Sequence, residues 1–153
     1  MLCGRRAGTA GGGPGGGFPQ GFPLTLTQGY TQVIHMGPHD AIRDFQRRAQ
    51  LFAELWSQAG YPIKFHSYYR GPEEQEDAFR RGASKARFGQ SSHNFGLGAD
   101  YHFLKYGWKV PKEFWEYGDS LARYVGLESG ISYGDANHIQ LPGWKAWKPY
   151  FLV

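Results

Sequence analysis

The sequence predicts a single α+β domain in which helices flank a small antiparallel sheet. Two long segments repeat apolar residues at intervals of three and four, the period of an amphipathic helix, and shorter segments alternate apolar with polar residues, as strands do. These helices and strands do not alternate regularly, and no glycine pattern of a dinucleotide or phosphate site accompanies them. Both observations favour an α+β arrangement.

The first predicted helix has the clearest boundaries. Asp40 is a residue type that favours the N-cap, and Gly60 ends a helix that runs to about residue 59. Its predicted core face consists of Ile42, Phe45, Ala49, Phe52 and Trp56. The other predicted elements are, in chain order, a strand over 63–69, a short helix from Pro72 to Gly82, a strand over 99–103, a helix that starts at Pro111 and stops at Gly126, and a strand over 138–141.

Length and composition indicate one folded domain preceded by a tail. Aromatic residues make up 17% of the 153 residues, far more than a disordered protein contains. Residues 1–22 are rich in Gly and Pro and bury too little apolar surface to fold, so we expect a flexible tail there and a folded domain over 23–153. Cys3 is the only cysteine, which excludes an intrachain disulfide and a cysteine metal cluster.

The charge of the chain restricts its partners only loosely. A net charge of +4 suits a bacterial cell wall or a nucleic acid, and equally a basic surface without function. No run of Lys and Arg exceeds two residues, which does not support nucleic-acid binding. We expect no membrane insertion and no secretion signal, because Gly and Pro follow Arg5-Arg6 where an apolar segment would stand. A monomer is expected.

Two separated motifs contain the residues with the clearest chemistry. They are Ser91-Ser92-His93-Asn94-Phe95-Gly96-Leu97-Gly98-Ala99-Asp100 and Asp135-Ala136-Asn137-His138. Together they supply two imidazoles and a carboxylate that can meet at one ion, and a second carboxylate three residues before the last imidazole. Three protein ligands, an open position for water and a neighbouring base are what a mononuclear zinc hydrolase requires.

Strand periodicity predicts how these ligands meet. Side chains alternate across a strand, so Asp100 and His138 lie on the faces opposite their apolar neighbours. His93 lies in a loop that can fold back over the strand end, and Gly96 and Gly98 would allow that return by accepting backbone angles closed to other residues. The sequence therefore predicts one metal site that combines all three side chains.

We expect different positions and roles for the remaining titratable residues. Asp135 is placed by its spacing near the metal without being a ligand, so it could accept a proton from water. His35 and His39 are expected to be solvated. His66 and His102 lie in strand segments flanked by aromatic residues, and both are lesser candidates for lining the site.

The two motifs resemble those of the zinc D-alanyl-D-alanine carboxypeptidases and the phage L-alanyl-D-glutamate endopeptidases, a group structurally allied to the hedgehog signalling domain. The pattern of that family is S-x-H-x-x-G-x-A-x-D followed by D/E-x-x-H. The resemblance extends upstream to Ser67-Tyr68-Tyr69-Arg70 and Glu74-Gln75, and downstream to His138-Ile139-Gln140-Leu141-Pro142. It covers about residues 30–145 and implies a hedgehog-like fold.

The resemblance implies a role for each matched residue. His93, Asp100 and His138 would bind one Zn2+, and Asp135 would be the general base. Arg70 would hold a substrate carboxylate or the developing oxyanion.

Three matched residues are implied to contact substrate: Arg70, Gln75 and Ser91. A guanidinium offers a fixed fork of donors suited to the carboxylates of peptidoglycan stems. The alternative for Arg70 is a surface ion pair with the nearby Glu73 or Glu74. Ser91 has two alternatives, a hydrogen bond within its loop or no specific role.

The chain departs from the family pattern at two places. Gly98 stands where the family usually has Ala, and Ser129-Gly130 stands where endopeptidases often have Trp-Gly. The second departure affects one wall of the substrate site. Trp144 and Trp147 could form a stacking rim for peptide or glycan, although packing in the core is the preferred interpretation.

The leading functional hypothesis is a zinc peptidase of the endolysin type that cleaves the L-Ala–D-Glu bond of peptidoglycan stem peptides. It would accumulate in a host cytoplasm before it reaches the cell wall. The alternatives are a D-Ala–D-Ala carboxypeptidase of the same family and a non-catalytic, zinc-stabilised binding module. A nucleic-acid-binding domain has only the positive charge in its favour.

Overall fold

The computed structural model describes residues 37–151. The predicted tail over 1–22 and the start of the predicted domain lie outside the described residues. The helices are α1 (Pro38–Gln58), α2 (Pro72–Arg80), α3 (Lys112–Tyr124) and α4 (Lys148–Phe151), and the strands are β1 (Ile63–Ser67), β2 (Gly98–Phe103), β3 (Glu128–Gly130) and β4 (Asp135–Gln140). Short 3-10 helices span Ser92–Phe95, Ile131–Tyr133 and Trp144–Trp147.

The four strands form one antiparallel sheet in the order β1-β2-β4-β3. This confirms the predicted fold class, an α+β domain with a small antiparallel sheet. One face of the sheet is apolar and packs against α1 and α3, where the ring of Trp56 lies 4.9 Å from that of Phe103 and the ring of Phe52 lies 5.1 Å from that of Tyr101. The other face carries polar side chains, and the candidate site lies there.

Helix α1 begins earlier than predicted. Its N-cap is Gly37, so the assignment of Asp40 as N-cap is wrong, and Asp40 lies in the first turn instead. Pro38 explains the difference, because its fixed φ angle and missing N–H suit the first helical position. An acidic residue in the first turn also interacts favourably with the helix dipole. The predicted core face is confirmed, and only Ile42 of its members is partly exposed.

The C-terminal half contains a strand that the sequence did not predict. Strand β3 has only three residues, too few for an alternating pattern to be recognised, and β4 begins at Asp135 rather than at His138. Helix α3 starts after Pro111, which is its N-cap rather than its first residue. Its apolar face is buried as predicted, including Phe114 and Leu121.

The two tryptophans near the C-terminus belong to the core side of the domain. Trp144 is 5% exposed and its ring lies 5.7 Å from that of Phe95, which confirms the preferred interpretation for this residue. Trp147 is partly buried against the same cluster. Trp108 is the most exposed tryptophan in the described part of the chain, and it lies on the polar side of the sheet beside His102. No helix within residues 37–151 is long and apolar enough to cross a membrane.

Helix α3 approaches the sheet closely at Gly118. A Cβ atom there would lie 2.5 Å from the hydroxyl oxygen of Tyr101, which is 1% exposed and has no room to move. We expect Gly118→Ala to lower the free energy of unfolding by about 1–3 kcal/mol, because this overpacking outweighs the gain of about 1 kcal/mol in helix propensity. Chemical denaturation measures the change.

Ser120→Ala, at a partly exposed position of the same helix, is the control and should change stability by less than about 0.5 kcal/mol. A stabilised Gly118→Ala protein would contradict the close approach of α3 to the sheet.

Candidate metal centre

His93 is positioned by a short 3-10 helix between α2 and β2. The hydroxyl oxygen of Ser91 accepts a hydrogen bond from the His93 backbone N–H at 3.3 Å, which caps this helix. Gly96 ends it with a φ angle of 68°, a left-handed conformation that favours glycine, and the chain then enters β2. The predicted return of the loop is therefore confirmed at Gly96. Gly98 does not have a positive φ angle, so the backbone conformation of the loop does not require a glycine there.

Asp100 and His138 are direct partners in the register of β2 and β4. The Asp100 Oδ1 atom lies 2.9 Å from His138 Nδ1 and 3.2 Å from His93 Nε2. One ligand atom from each of these three residues lies within 4.8 Å of the others. Zinc with N and O ligands at about 2.0–2.2 Å in tetrahedral geometry separates its donors by about 3.3–3.5 Å. The group can therefore hold one metal ion, as the sequence predicted.

The outer nitrogen of each imidazole has its own partner. His93 Nδ1 lies 3.1 Å from the carbonyl oxygen of Tyr68, and His138 Nε2 lies 3.0 Å from Gln140 Oε1. Without a metal, the opposite nitrogen of each ring carries a proton and donates to Asp100; once that proton leaves, an N–H that donates to these oxygens leaves the lone pair of the opposite nitrogen for an ion. Metal-binding imidazoles are oriented in this way in most proteins. The donor set and its outer partners fit a zinc ion.

Burial and pairing act in opposite directions on the pKa values of this group. Burial would raise the pKa of Asp100, but hydrogen bonds to His138 and His93 and their positive charge outweigh it and hold this pKa well below its usual range. For His138, burial lowers the pKa, and the hydrogen bond and charge of Asp100 reverse this, so the pKa is raised. The carboxylate is therefore ionised and available as a ligand at neutral pH.

Asp135, three residues before His138, lies within electrostatic reach of this group. Alternation along a strand would place the two side chains on opposite faces, but the pairing of β3 with β4 shifts register between Ser129 and Gly130. The charges of His138, Asp100, His93 and Arg70 all act on its pKa. Partial desolvation is the largest influence and raises the pKa of Asp135, although part of the side chain faces solvent.

Arg70 also faces the metal-binding group. Its Nη2 atom lies 3.8 Å from Asp100 Oδ2, which is its only ion pair within residues 37–151, so the alternative of a surface pair with Glu73 or Glu74 is wrong. Its Nη1 donates to Gln75 Oε1 at 3.3 Å. Gln75 is fully buried and also donates to the carbonyl of Ala86 at 2.6 Å. Gln75 is therefore enclosed in this conformation, and its expected contact with a substrate stays a prediction.

Two residues near the metal-binding group have contacts that the sequence did not reveal. Ser92 is buried, and its Oγ atom lies 3.1 Å from His138 Nε2. Gln140 accepts from His138 and donates to Glu128 Oε1 at 2.7 Å. The sequence did indicate Gln140, because a residue two positions after His138 lies on the same face of β4. Nothing in the sequence distinguished Ser92 from an ordinary loop serine.

The other histidines separate into two groups. His66 and His102 lie on the polar face of the sheet, and their Nδ1 atoms are 3.1 Å apart. Neither belongs to the three-residue group at Asp100. His39 is exposed on α1, as predicted, and His35 lies outside the described residues.

Comparison with known proteins gives the fold. No family model matches the chain, and no curated protein matches it. A solved structure described as "Structure of the LdcB LD-carboxypeptidase reveals the molecular basis of peptidoglycan recognition" superposes with a TM-score of 0.50 and 16% sequence identity, and the match covers 80% of this chain and 69% of that one. The chain thus shares the fold of a solved LD-carboxypeptidase.

Gly98 is required by the packing around His138. A Cβ atom there would overlap the Ser92 hydroxyl and lie 2.9 Å from His138 Cε1. We expect Gly98→Ala to displace one or both side chains, to lower the free energy of unfolding by about 1–3 kcal/mol and to weaken zinc binding. Denaturation and zinc titration measure both effects.

The double variant with Gly98→Ala and Ser92→Ala removes the overlapping hydroxyl and should recover part of the lost stability. Equal stability of Gly98→Ala and the unchanged protein would contradict this close packing.

Zinc affinity should depend on pH through His138. Its proton must leave before the nitrogen facing Asp100 can bind a metal, and its raised pKa means that protons compete at higher pH than for an ordinary histidine. We expect affinity to fall steadily as pH decreases between about 8 and 5. Competition with a chelator at each pH measures it, and a constant affinity across this range would exclude His138 as a ligand.

Proposed function

We propose that this protein is a zinc-dependent peptidase that hydrolyses stem peptides of peptidoglycan. The observation that carries the proposal is the convergence of His93, Asp100 and His138, with Asp135 and Arg70 beside them. A structural zinc site is normally closed by four protein ligands, whereas catalytic sites use three and keep a position open. The additional carboxylate and guanidinium are suited to catalysis.

A zinc ion in this site would act as a Lewis acid and lower the pKa of water. The protein residues supply the remaining chemistry. Asp135 accepts a proton from the attacking water and delivers it to the leaving amine. A raised pKa brings this carboxyl closer to the operating pH, which favours both transfers.

Arg70 orients the substrate in this proposal. Its guanidinium is 21% exposed, so it retains a surface for a ligand while Gln75 and Asp100 restrict its position. The donors of an arginine suit a peptide carboxylate or an oxyanion that develops during hydrolysis. Stem peptides contain several carboxylates, and the net charge of +4 also favours an anionic polymer.

Within this class, we propose cleavage of the L-Ala–D-Glu bond, in an enzyme of the endolysin type. Support comes from the upstream segment containing Arg70 and Gln75, whose spacing is similar to that of phage endopeptidases. A carboxypeptidase that removes a terminal residue is the second candidate. It is favoured by the position of Arg70 close to Asp100, where a guanidinium can hold a terminal carboxylate, and by the name of the structural neighbour.

The role of Asp135 can be separated from metal binding. We expect Asp135→Asn to retain one equivalent of zinc and to lose roughly 10²–10⁴-fold in kcat on purified peptidoglycan, because the amide cannot accept the proton. Atomic emission gives the zinc content and turbidity loss gives the rate. Glu113→Gln, an exposed carboxylate of α3, is the control and should leave both unchanged.

Hydrolysis by Asp135→Asn at the rate of the unchanged protein would refute the assignment of this base.

The bond that is cut can be read from the products. Purified peptidoglycan treated with the zinc-loaded protein should yield peptides with a new D-Glu amino terminus, detected by mass spectrometry. Loss of a single terminal D-Ala would support the carboxypeptidase instead. Absence of any new product, with zinc fully bound, would favour a non-catalytic binding module.

A further inference from the structure

A pair of histidines beside the candidate metal centre has no role in the proposed hydrolysis. His66 lies in β1, at the position where the pairing of β1 with β2 shifts register between Phe65 and Ser67. His102 lies in β2, two residues after Asp100 and therefore on the same face of the sheet. The shift brings the ring of His66 to within 5.2 Å of the ring of His102.

The donor atoms of the pair are spaced as ligands of one metal ion. The two Nδ1 atoms are 3.1 Å apart. Two imidazoles bound to one tetrahedral ion at about 2.0–2.1 Å place their nitrogens about 3.3–3.4 Å apart, so only a small adjustment is needed. The pair lies on two hydrogen-bonded strands, which keep it together without an ion. A metal therefore meets a largely preformed pair of ligands.

The surroundings leave one side of the pair open. Trp108 covers the other side, with its ring 5.5 Å from that of His66 and 5.0 Å from that of His102. His66 itself is exposed, so water can complete the coordination of an ion. Lys64 is the register partner of His102, and its exposed ammonium group lowers the affinity for any cation.

We propose that His66 and His102 bind a second transition-metal ion on the polar face of the sheet. Imidazole ligands select Zn2+, Ni2+ and Cu2+ rather than Ca2+ or Mg2+, which require oxygen ligands. With two protein ligands and a lysine nearby, this ion is held more weakly than one at His93, Asp100 and His138. The proposal does not rest on hydrolase activity.

Nickel titration of the full chain tests the second site. All samples carry Cys3→Ser, because a thiol would also bind nickel. Each protein is first loaded with a single equivalent of zinc, which occupies the tighter site, and its zinc content is measured; Ni2+ is then added in a calorimeter. We expect one further equivalent to bind, and we expect His66→Ala and His102→Ala each to reduce its affinity at least tenfold.

His39→Ala, which removes an exposed histidine from α1, is the matched control and should retain the additional equivalent. Zinc content should stay at one equivalent in all of these proteins. Failure of the parent to bind additional nickel, or binding that survives in both His66→Ala and His102→Ala, would overturn the proposal.

Two further variants report on the neighbours of the ion. Bound Ni2+ should quench part of the tryptophan fluorescence. Trp108→Phe should no longer show this quenching, although it should still bind one equivalent of nickel. Lys64→Gln removes the opposing charge and should increase nickel affinity several-fold. Nickel binding that is unaffected by Lys64→Gln and leaves Trp108 fluorescence unchanged would place the ion elsewhere and refute the assignment.

Discussion

The pairing of Asp100 with His138 across two inner strands is the constraint on which the site depends. Strands β2 and β4 are both flanked by other strands, and on their opposite face Ala99 and Ile139 are fully buried. Slippage by one residue would expose those apolar side chains and bury the polar ones, so the register is fixed by the core. Burial in the core therefore places a carboxylate and an imidazole opposite each other.

The second imidazole and the outer contacts complete this arrangement by close packing. His93 lies in a short helix rather than in the sheet. Ser92, next to it, fills the space that Gly98 leaves open beside His138. The polar atoms are thereby removed from water, which is costly unless each finds a partner. Asp100, His93, His138 and Gln140 satisfy one another through a connected set of hydrogen bonds.

Much of the fold and of the metal-binding group could be predicted from the sequence, because the local patterns were consistent with the fold. Periodicity located α1 and α3 and the faces of β2, and motif spacing identified the three residues that converge. The start of α1 was mispredicted because Pro38 and Asp40 are both start signals, and it is Pro38 that directly follows the N-cap. The three-residue strand β3 is held by its partner β4 rather than by its own residues.

The parts of the site that escaped prediction depend on contacts between distant segments. The amide of Gln75 is enclosed by Ser84, Ala86 and Asn94, and no local pattern reports such enclosure. The path of Asp135 to the site likewise depends on a register shift between two strands. Sequence spacing gave its approximate position, and the backbone position of Asp135 is set by its pairing with Gly130.

The segment that ends at Arg70 and the helix that carries His93 are joined by their backbones. The Arg70 N–H donates to the His93 carbonyl at 3.0 Å, the Asn94 side chain donates to the Arg70 carbonyl at 3.0 Å, and His93 contacts the carbonyl of Tyr68. Local opening of either segment must therefore break hydrogen bonds of the other, so the two behave as one cooperative unit. A ligand that restrains either side chain would therefore also stabilise the segment that carries the other.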